Sequence, residues 1–416
     1  MDSRQLREFT TNQLWNIILK NPGSAAAALN LRQAAESTNR MPLVHVLTNI
    51  PSYHQVDLFD EVATRFDVRL FVTYLRPRTP GRGWTDLPKP NHDHVFAPCA
   101  LNRLGALYIN PGFVRNFIRR NDDLVVIGQY AGMSLQLAMY ICRLKRTPWV
   151  FWAERAGVQH YEVSSGLPSP LLPLARRLAL APVARWPVSV WGTGARAAEA
   201  YSSLTRTSCR SMPYVSRLSR FHRPSDYRRE GDPLRFLFLG NLSFRKGFDL
   251  VCKAWPVVAA DARSAGASLT VCGTGGMLAE AESLRAACSS VDLVGFKQLD
   301  EVPSVLWKAD VLICPSRYDG WGMVVPEAAA AGLSVIASDQ VQSAVDFGTR
   351  PWLDLIPSGD AAALASAMLR FASTKEEVLG RSESARRDSI LYDVSSGAQI
   401  FANLCREALE TARLSL

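Results

Sequence analysis

The chain has 416 residues, 48% hydrophobic and 20% charged. This excludes a disordered tail and, at this length, a single ordinary core; it suits two α/β domains of about 150–200 residues each. The net charge of +9 is uneven: residues 1–230 hold 30 Lys+Arg against 16 Asp+Glu, net +14, and residues 231–416 hold 17 against 22, net −5.

The basic half is expected to face something negative. Its cations are mostly Arg dispersed among Leu, Ala, Trp and Pro, a texture that suits an anionic membrane surface or a phosphorylated lipid and not nucleic acid. Eight scattered cysteines with no C-x-x-C pair read as buried reduced thiols of a cytosolic protein. No signal peptide and no run of eighteen apolar residues is found, so the expected placement is cytoplasmic, at most peripheral to the inner face of the cell membrane.

In chain order, residues 1–40 read as an N-terminal helical extension of two short helices. From residue 41 strands and helices alternate. Short apolar runs at 43–47, 68–74, 124–128, 149–152 and 189–192 predict buried parallel strands. Between the first two, Val56, Phe59, Val62, Ala63 and Phe66 mark one face of a helix. Residues 41–213 therefore form a first Rossmann-like domain. Asn91-His92-Asp93-His94 lies in a Pro-rich stretch expected to be loop, and it is a poor metal site; no metal is expected. Residues 163–198 contain no acid and mix Arg176, Arg177, Arg185 and Arg196 with leucines; they read either as an interfacial amphipathic segment or as a cleft-lining helix. The Arg-, Ser- and Pro-rich residues 214–233 predict a linker. Alternation resumes with strands at 234–239, 268–272, 291–294, 311–314 and 334–337 in a second domain, 234–390, and residues 391–416 close the chain as a helix. The fold class is α/β: two doubly wound domains facing a cleft, with ligands at the carboxyl ends of the strands.

Four segments of the second domain follow such strand ends. In the first, Gly240 and Asn241 precede Arg245-Lys246-Gly247: two cations beside a helix start suit a diphosphate. In the second, Gly273-Thr274-Gly275-Gly276 lets backbone approach a ligand closely. In the third, Gly295-Phe296-Lys297 follows a strand where main chain can read a nucleobase edge. In the fourth, Asp319-Gly320-Trp321-Gly322 and Glu327 place two carboxylates eight positions apart, one in a glycine-rich loop and one in the first turn of a helix expected to begin at Pro326. Carboxylates accept hydrogen bonds from vicinal hydroxyls, so the pair suits a sugar and a ribose.

Together these segments resemble the retaining, GT-B-fold glycosyltransferases of family 4, in order of elements over roughly residues 42–410 and specifically over 234–340. The resemblance implies that Glu327 binds the donor ribose, that Asp319 holds hydroxyls of the transferred sugar beside the backbone of Gly320, Trp321 and Gly322, and that Lys246 with Arg245 clamps the diphosphate. It implies a sugar-nucleotide co-substrate, a glycan or lipid-linked acceptor, retention of configuration, no metal and no other cofactor. This chain has Asp319 where the family usually has Glu, and Asn241 where it often has Arg. On the acceptor side, Tyr53 and His54 follow the first strand, and Glu154 stands where many relatives place a histidine. A nucleotide-sugar 2-epimerase of the same fold and a non-catalytic sugar-nucleotide-binding protein remain alternatives.

Overall fold

A computed structural model describes residues 40–77, 89–98, 109–130, 132–155, 172–224 and 233–414. The helices expected at 1–40 lie outside these residues except for Arg40, and so does part of the acid-free segment 163–198.

The first domain is built on β1 (Leu43–Thr48), β2 (Arg69–Tyr74), β3 (Asp93–Phe96), β4 (Leu124–Gly128), β5 (Trp149–Ala153), β6 (Ser189–Gly192) and β7 (Cys209–Ser211). Their spatial order is β3-β2-β1-β4-β5-β6-β7, and every pairing is parallel. β4 and β5 bury every residue, because parallel strands covered by helices on both faces have no solvent side. The helices are α1 (Tyr53–Arg65), α2 (Pro111–Arg119), α3 (Met133–Lys145), α4 (Leu172–Leu180) and α5 (Ala195–Ser202). The stretch at 91–94 is not all loop: Asp93 opens edge strand β3, which pairs with β2.

The second domain holds β8 (Arg235–Leu239), β9 (Ser268–Cys272), β10 (Val291–Gly295), β11 (Val311–Cys314), β12 (Ser334–Ser338) and β13 (Leu353–Ile356). They form a sheet of order β10-β9-β8-β11-β12-β13, again parallel. Its helices are α6 (Phe248–Ala260), α7 (Leu278–Ala287), α8 (Val302–Trp307), α9 (Val324–Ala330), α10 (Gln342–Phe347), α11 (Ala361–Ser373), α12 (Lys375–Gly380) and α13 (Ser382–Ser389). The chain ends in α14 (Val394–Leu414), whose apolar face belongs to the first domain. Phe401 meets the rings of Phe59, Trp152 and Trp191 at 6.1, 6.2 and 5.6 Å, and Leu404, Cys405 and Ala408 are buried beside them. Burying Phe401 and Leu404 contributes roughly 1.5–3 kcal/mol each, enough to seat the helix firmly.

Two segments cross between the domains, and they are hydrogen-bonded to each other. Val394 N donates to Ser216 O at 2.9 Å, Ser216 N to Tyr392 O at 3.3 Å and Leu218 N to Asp393 Oδ2 at 3.1 Å. Within the expected linker, Leu218 and Phe221 are buried in the second-domain core. In each sheet the strand order reverses between the first strand and its neighbour on the other side, β1/β4 and β8/β11. Loops leaving the carboxyl ends at those points form a crevice, the usual ligand position of an open α/β sheet.

Candidate functional site

The site grows from the loops after β8, β9 and β11. Gly240 N donates to Cys272 O at 2.9 Å and Leu242 N to Thr274 O at 3.0 Å, so the first two loops lie back to back. Gly273, at φ +148°, has no room for a side chain: a Cβ there would lie 1.8 Å from Gly240 O. Gly275 and Asn241 sit in the same pair of loops, with Asn241 exposed. Gly247, at φ +71°, caps α6, and a Cβ on it would lie 2.1 Å from Pro315 O. The loop after β8 therefore rests directly on the loop after β11.

That contact brings Lys246 and Asp319 together. Lys246 Nζ donates to Asp319 Oδ2 at 2.5 Å, with the two side chains 19% and 11% exposed. Arg245 Nη1 donates to Tyr318 O at 3.1 Å. Arg317 locks the two loops from outside. Its guanidinium pairs with Asp249 at 2.5 and 2.8 Å and covers the Phe244 ring at 3.6 Å. Two cations and a carboxylate thus meet beside the start of α6, where backbone amides and the helix dipole favour an anion.

Beyond Asp319 the loop is held by α10. Ser343 N donates to Trp321 O at 2.7 Å, and Ser343 Oγ to Gly322 O at 2.8 Å. The Trp321 indole is core: 2% exposed and edge-on to Tyr392 at 5.2 Å. Only main chain near Trp321 and Gly322 remains for a ligand. Helix α9 begins at Val324 and not at Pro326, which puts Glu327 at its fourth residue, still in the first turn.

The Glu327 carboxylate is buried and accepts from Tyr53 Oη at 2.6 Å, a bond between the two domains. Burial raises its pKa to about 7, against the opposing pull of the Tyr53 bond and of Arg220, while Asp57 pushes the same way as burial. Burial also drives the Tyr53 phenol well above its ordinary value, with the Glu327 charge adding to it. His54 lies against the Tyr214 ring at 4.7 Å. Glu154, past the end of β5, faces Gly320 so closely that a Cβ at 320 would fall 1.8 Å from its Oε2. The site therefore brings together Arg245, Lys246, Asp319, Gly320 and Glu154, with Glu327 and Tyr53 paired nearby. It does not gather Phe296 and Lys297. These follow edge strand β10, two strands from β8; Phe296 is 37% exposed and Lys297 pairs with Glu301 at 3.3 Å.

Two contributors, Asp57 and Arg220, were not singled out in the sequence. Asp57 accepts from Arg220 Nη2 at 2.8 and 2.9 Å and from Arg217 N at 3.1 Å, tying α1 to the crossing segment. The available signal was spacing alone: Asp57 follows Tyr53 by four residues on one helix face. His92 has a structural role, bonded through Nδ1 to Asp60 at 2.6 Å and through Nε2 to Tyr74 Oη at 3.0 Å. Among the described residues no three His, Cys, Asp or Glu gather as a metal site.

Residues 233–374 match the family model described as glycosyl transferases group 1. The amylovoran biosynthesis glycosyltransferase AmsK of Erwinia amylovora is 28% identical over 158 residues, 35% of this chain and 38% of that protein. The chain spans about a third of the length of the curated relatives it matches. Anabaena Alr3699/HepE, solved with UDP, superposes with a TM-score of 0.66 at 15% identity, covering 88% of this chain and 100% of that one. Its UDP-glucose complex gives 0.63 at 16% identity, covering 88% and 99%. Residues 233–374 are thus similar to the group 1 glycosyl transferases, and the two parallel sheets share the two-domain Rossmann-like fold of HepE.

Proposed function

We propose that the protein transfers a sugar from a nucleoside-diphosphate sugar to a glycan, glycolipid or other acceptor in glycoconjugate or polysaccharide assembly, with retention of configuration and without a metal. The observation that carries this is the meeting of Lys246 and Asp319 at 2.5 Å, from loops at the carboxyl ends of the strands where the second sheet reverses its order. A cation for phosphate and a carboxylate for hydroxyls stand side by side, as a nucleoside-diphosphate sugar requires. The fold neighbour HepE binds UDP and UDP-glucose, which supports the same ligand class.

In this reading the diphosphate displaces Asp319 from Lys246, and Asp319 turns to the sugar. Gly240, Asn241, Gly273 and Gly275 line the diphosphate side, Glu327 takes the ribose, and Glu154 approaches the transferred sugar from the first domain. The bond from the anomeric carbon to the distal phosphate oxygen breaks, and the nucleoside diphosphate leaves with the electron pair. The acceptor oxygen attacks the same face, and its proton passes to the departing phosphate oxygen. Arg245, Lys246 and the start of α6 neutralise the leaving charge. The sequence has no D-x-D pair to recruit a metal for that task.

The acceptor side faces a membrane in this reading. On α3, Met133, Leu137, Tyr140 and Leu144 are exposed at spacings of four, three and four, one continuous helix face. Arg143, Lys145 and Arg146 stand at its end, and Arg176, Arg177 and Arg185 line a neighbouring groove with Leu180 and Leu204. Apolar contact plus cations suits an anionic bilayer surface. No helix among the described residues is long and apolar enough to cross one.

The test is a panel of sugar nucleotides assayed for hydrolysis and transfer, with and without EDTA, and the product anomer read by NMR. Release of nucleoside diphosphate with a retained anomer, undiminished by EDTA, is expected. Loss of activity in EDTA with recovery on manganese overturns the metal-free mechanism, and epimerised donor without transfer overturns the reaction class.

A further inference from the structure

Glu327 is the carboxylate that the proposed function gives to the ribose, yet the second domain does not present it alone. Its Oε1 is held by Tyr53, 274 residues away, at 2.6 Å; the described residues give Oε2 no hydrogen bond. Tyr53 is a rigid holder. Its ring is buried, and it opens α1 immediately after the loop from β1. That loop is pinned where Thr48 Oγ1 and Ser52 Oγ both donate to Gln55 Oε1, at 3.1 and 3.2 Å. One turn further, Asp57 fastens the same helix to Arg220 at 2.8 and 2.9 Å and to the Arg217 amide at 3.1 Å. A phenol fixed in the first domain therefore fills one oxygen of a second-domain carboxylate and leaves the other.

We propose that Tyr53 is a positioning residue for nucleotide binding: its hydroxyl holds Glu327 by Oε1, turns Oε2 toward a vicinal diol, and so makes ribose recognition depend on contact between the two domains. This rests on Glu327 receiving the ribose. The chemistry follows from the surroundings. Tyr53 and Asp57 reach Glu327 from α1, and Arg220 reaches it from the crossing segment. Tyr53 and Arg220 favour the carboxylate; burial and Asp57 favour the carboxyl. Losing the phenol leaves a carboxylate that wanders and takes up a proton at higher pH, and a protonated carboxyl is a poorer acceptor for a diol.

The experiment is titration calorimetry of the full chain with uridine diphosphate, and with the other nucleoside diphosphates where that one does not bind, from pH 5.5 to 8.5. Inorganic pyrophosphate, which has no ribose, serves as the second probe. Tyr53→Phe is expected to weaken nucleoside diphosphate binding about tenfold at pH 7, to move the acid limb of its pH profile upward, and to leave pyrophosphate binding unchanged. Glu327→Gln, which keeps an acceptor for Tyr53, should flatten the acid limb; in that background Tyr53→Phe should add little. Equal nucleotide binding by parent and Tyr53→Phe overturns the proposal. Tighter binding by the variant overturns it as well, since Tyr53 would then be a plug. Equal losses for nucleotide and pyrophosphate reduce Tyr53 to a structural role. Should Tyr53→Phe not fold, an unchanged acid limb in Glu327→Gln overturns the proposal by itself. A parent that binds no nucleoside diphosphate at all removes the glycosyltransferase reading and this inference with it; the other outcomes touch the inference only.

Discussion

Lys246→Ala removes two things, and the structure separates them. The first is the pair with Asp319, whose side chains are 19% and 11% exposed. It falls between an exposed pair, worth under about 1 kcal/mol, and a fully buried one, whose breaking costs roughly 3–5 kcal/mol, so about 2 kcal/mol of stability is the expected loss. The second is the proposed contact with diphosphate, a charge-assisted hydrogen bond of roughly 1.5–3 kcal/mol, or about ten- to a hundredfold in affinity. Asp319→Asn discriminates between them. It loosens the pair yet leaves the cation for the ligand, so nucleoside diphosphate binding should hold or tighten a fewfold while sugar turnover falls. In that background Lys246→Ala should cost less stability and just as much binding. Urea unfolding, calorimetry with uridine diphosphate and initial-rate assays measure the three quantities. The reasoning is refuted if folded Lys246→Ala binds nucleoside diphosphate as the parent does, or if Asp319→Asn weakens that binding as severely as Lys246→Ala.

Glu327 carries a pH signature. A buried carboxyl whose pKa rises from 4.5 to about 7 binds more protons folded than unfolded in that window, so stability falls as pH rises from 4.5 through 7 and levels off above it. Glu327→Gln should gain up to about 3 kcal/mol on the parent at pH 8 and lose that advantage toward pH 5; thermal melts of both proteins across this range check it. The apolar face of α3 is tested by flotation with anionic liposomes. Leu144→Glu, at a side chain 83% exposed, and charge removal at Arg176, Arg177 and Arg185 should each reduce binding at low salt without changing hydrolysis of a soluble donor. A parent that stays unbound at low salt defeats the membrane reading.

The central strands were legible because burial on both faces writes itself as an unbroken apolar run: Leu-Val-Val-Ile at 124–127 and Val-Leu-Ile at 311–313. The three strands not expected, β3, β7 and β13, are all sheet edges. They read Asp-His-Val-Phe, Cys-Arg-Ser and Leu-Asp-Leu-Ile, since an edge needs little apolar burial and tolerates charge. The site divides the same way. Arg245, Lys246 and Asp319 sit in loops and Glu327 in the first turn of a helix, where glycines and helix starts are local signals. The bond from Tyr53 to Glu327 and the approach of Glu154 to Gly320 join positions in different domains, and no periodicity encodes such a pairing. The start of α9 was misplaced by two residues because proline, favoured at the first helical position, is tolerated throughout the first turn.

The two crossings of the chain between its domains lie side by side, with Ser216 bonded to Tyr392 and Val394 and Asp393 to Leu218. They therefore act as a ribbon and not as two independent tethers. Sliding one crossing past the other would break those bonds, whereas flexing across the ribbon keeps them. That leaves one coordinate along which the second domain can swing from the first once bonds such as that of Tyr53 to Glu327 open. The pairing also makes the second domain an insertion whose entry and exit coincide, so it can move as a body without pulling α14 from the first-domain core.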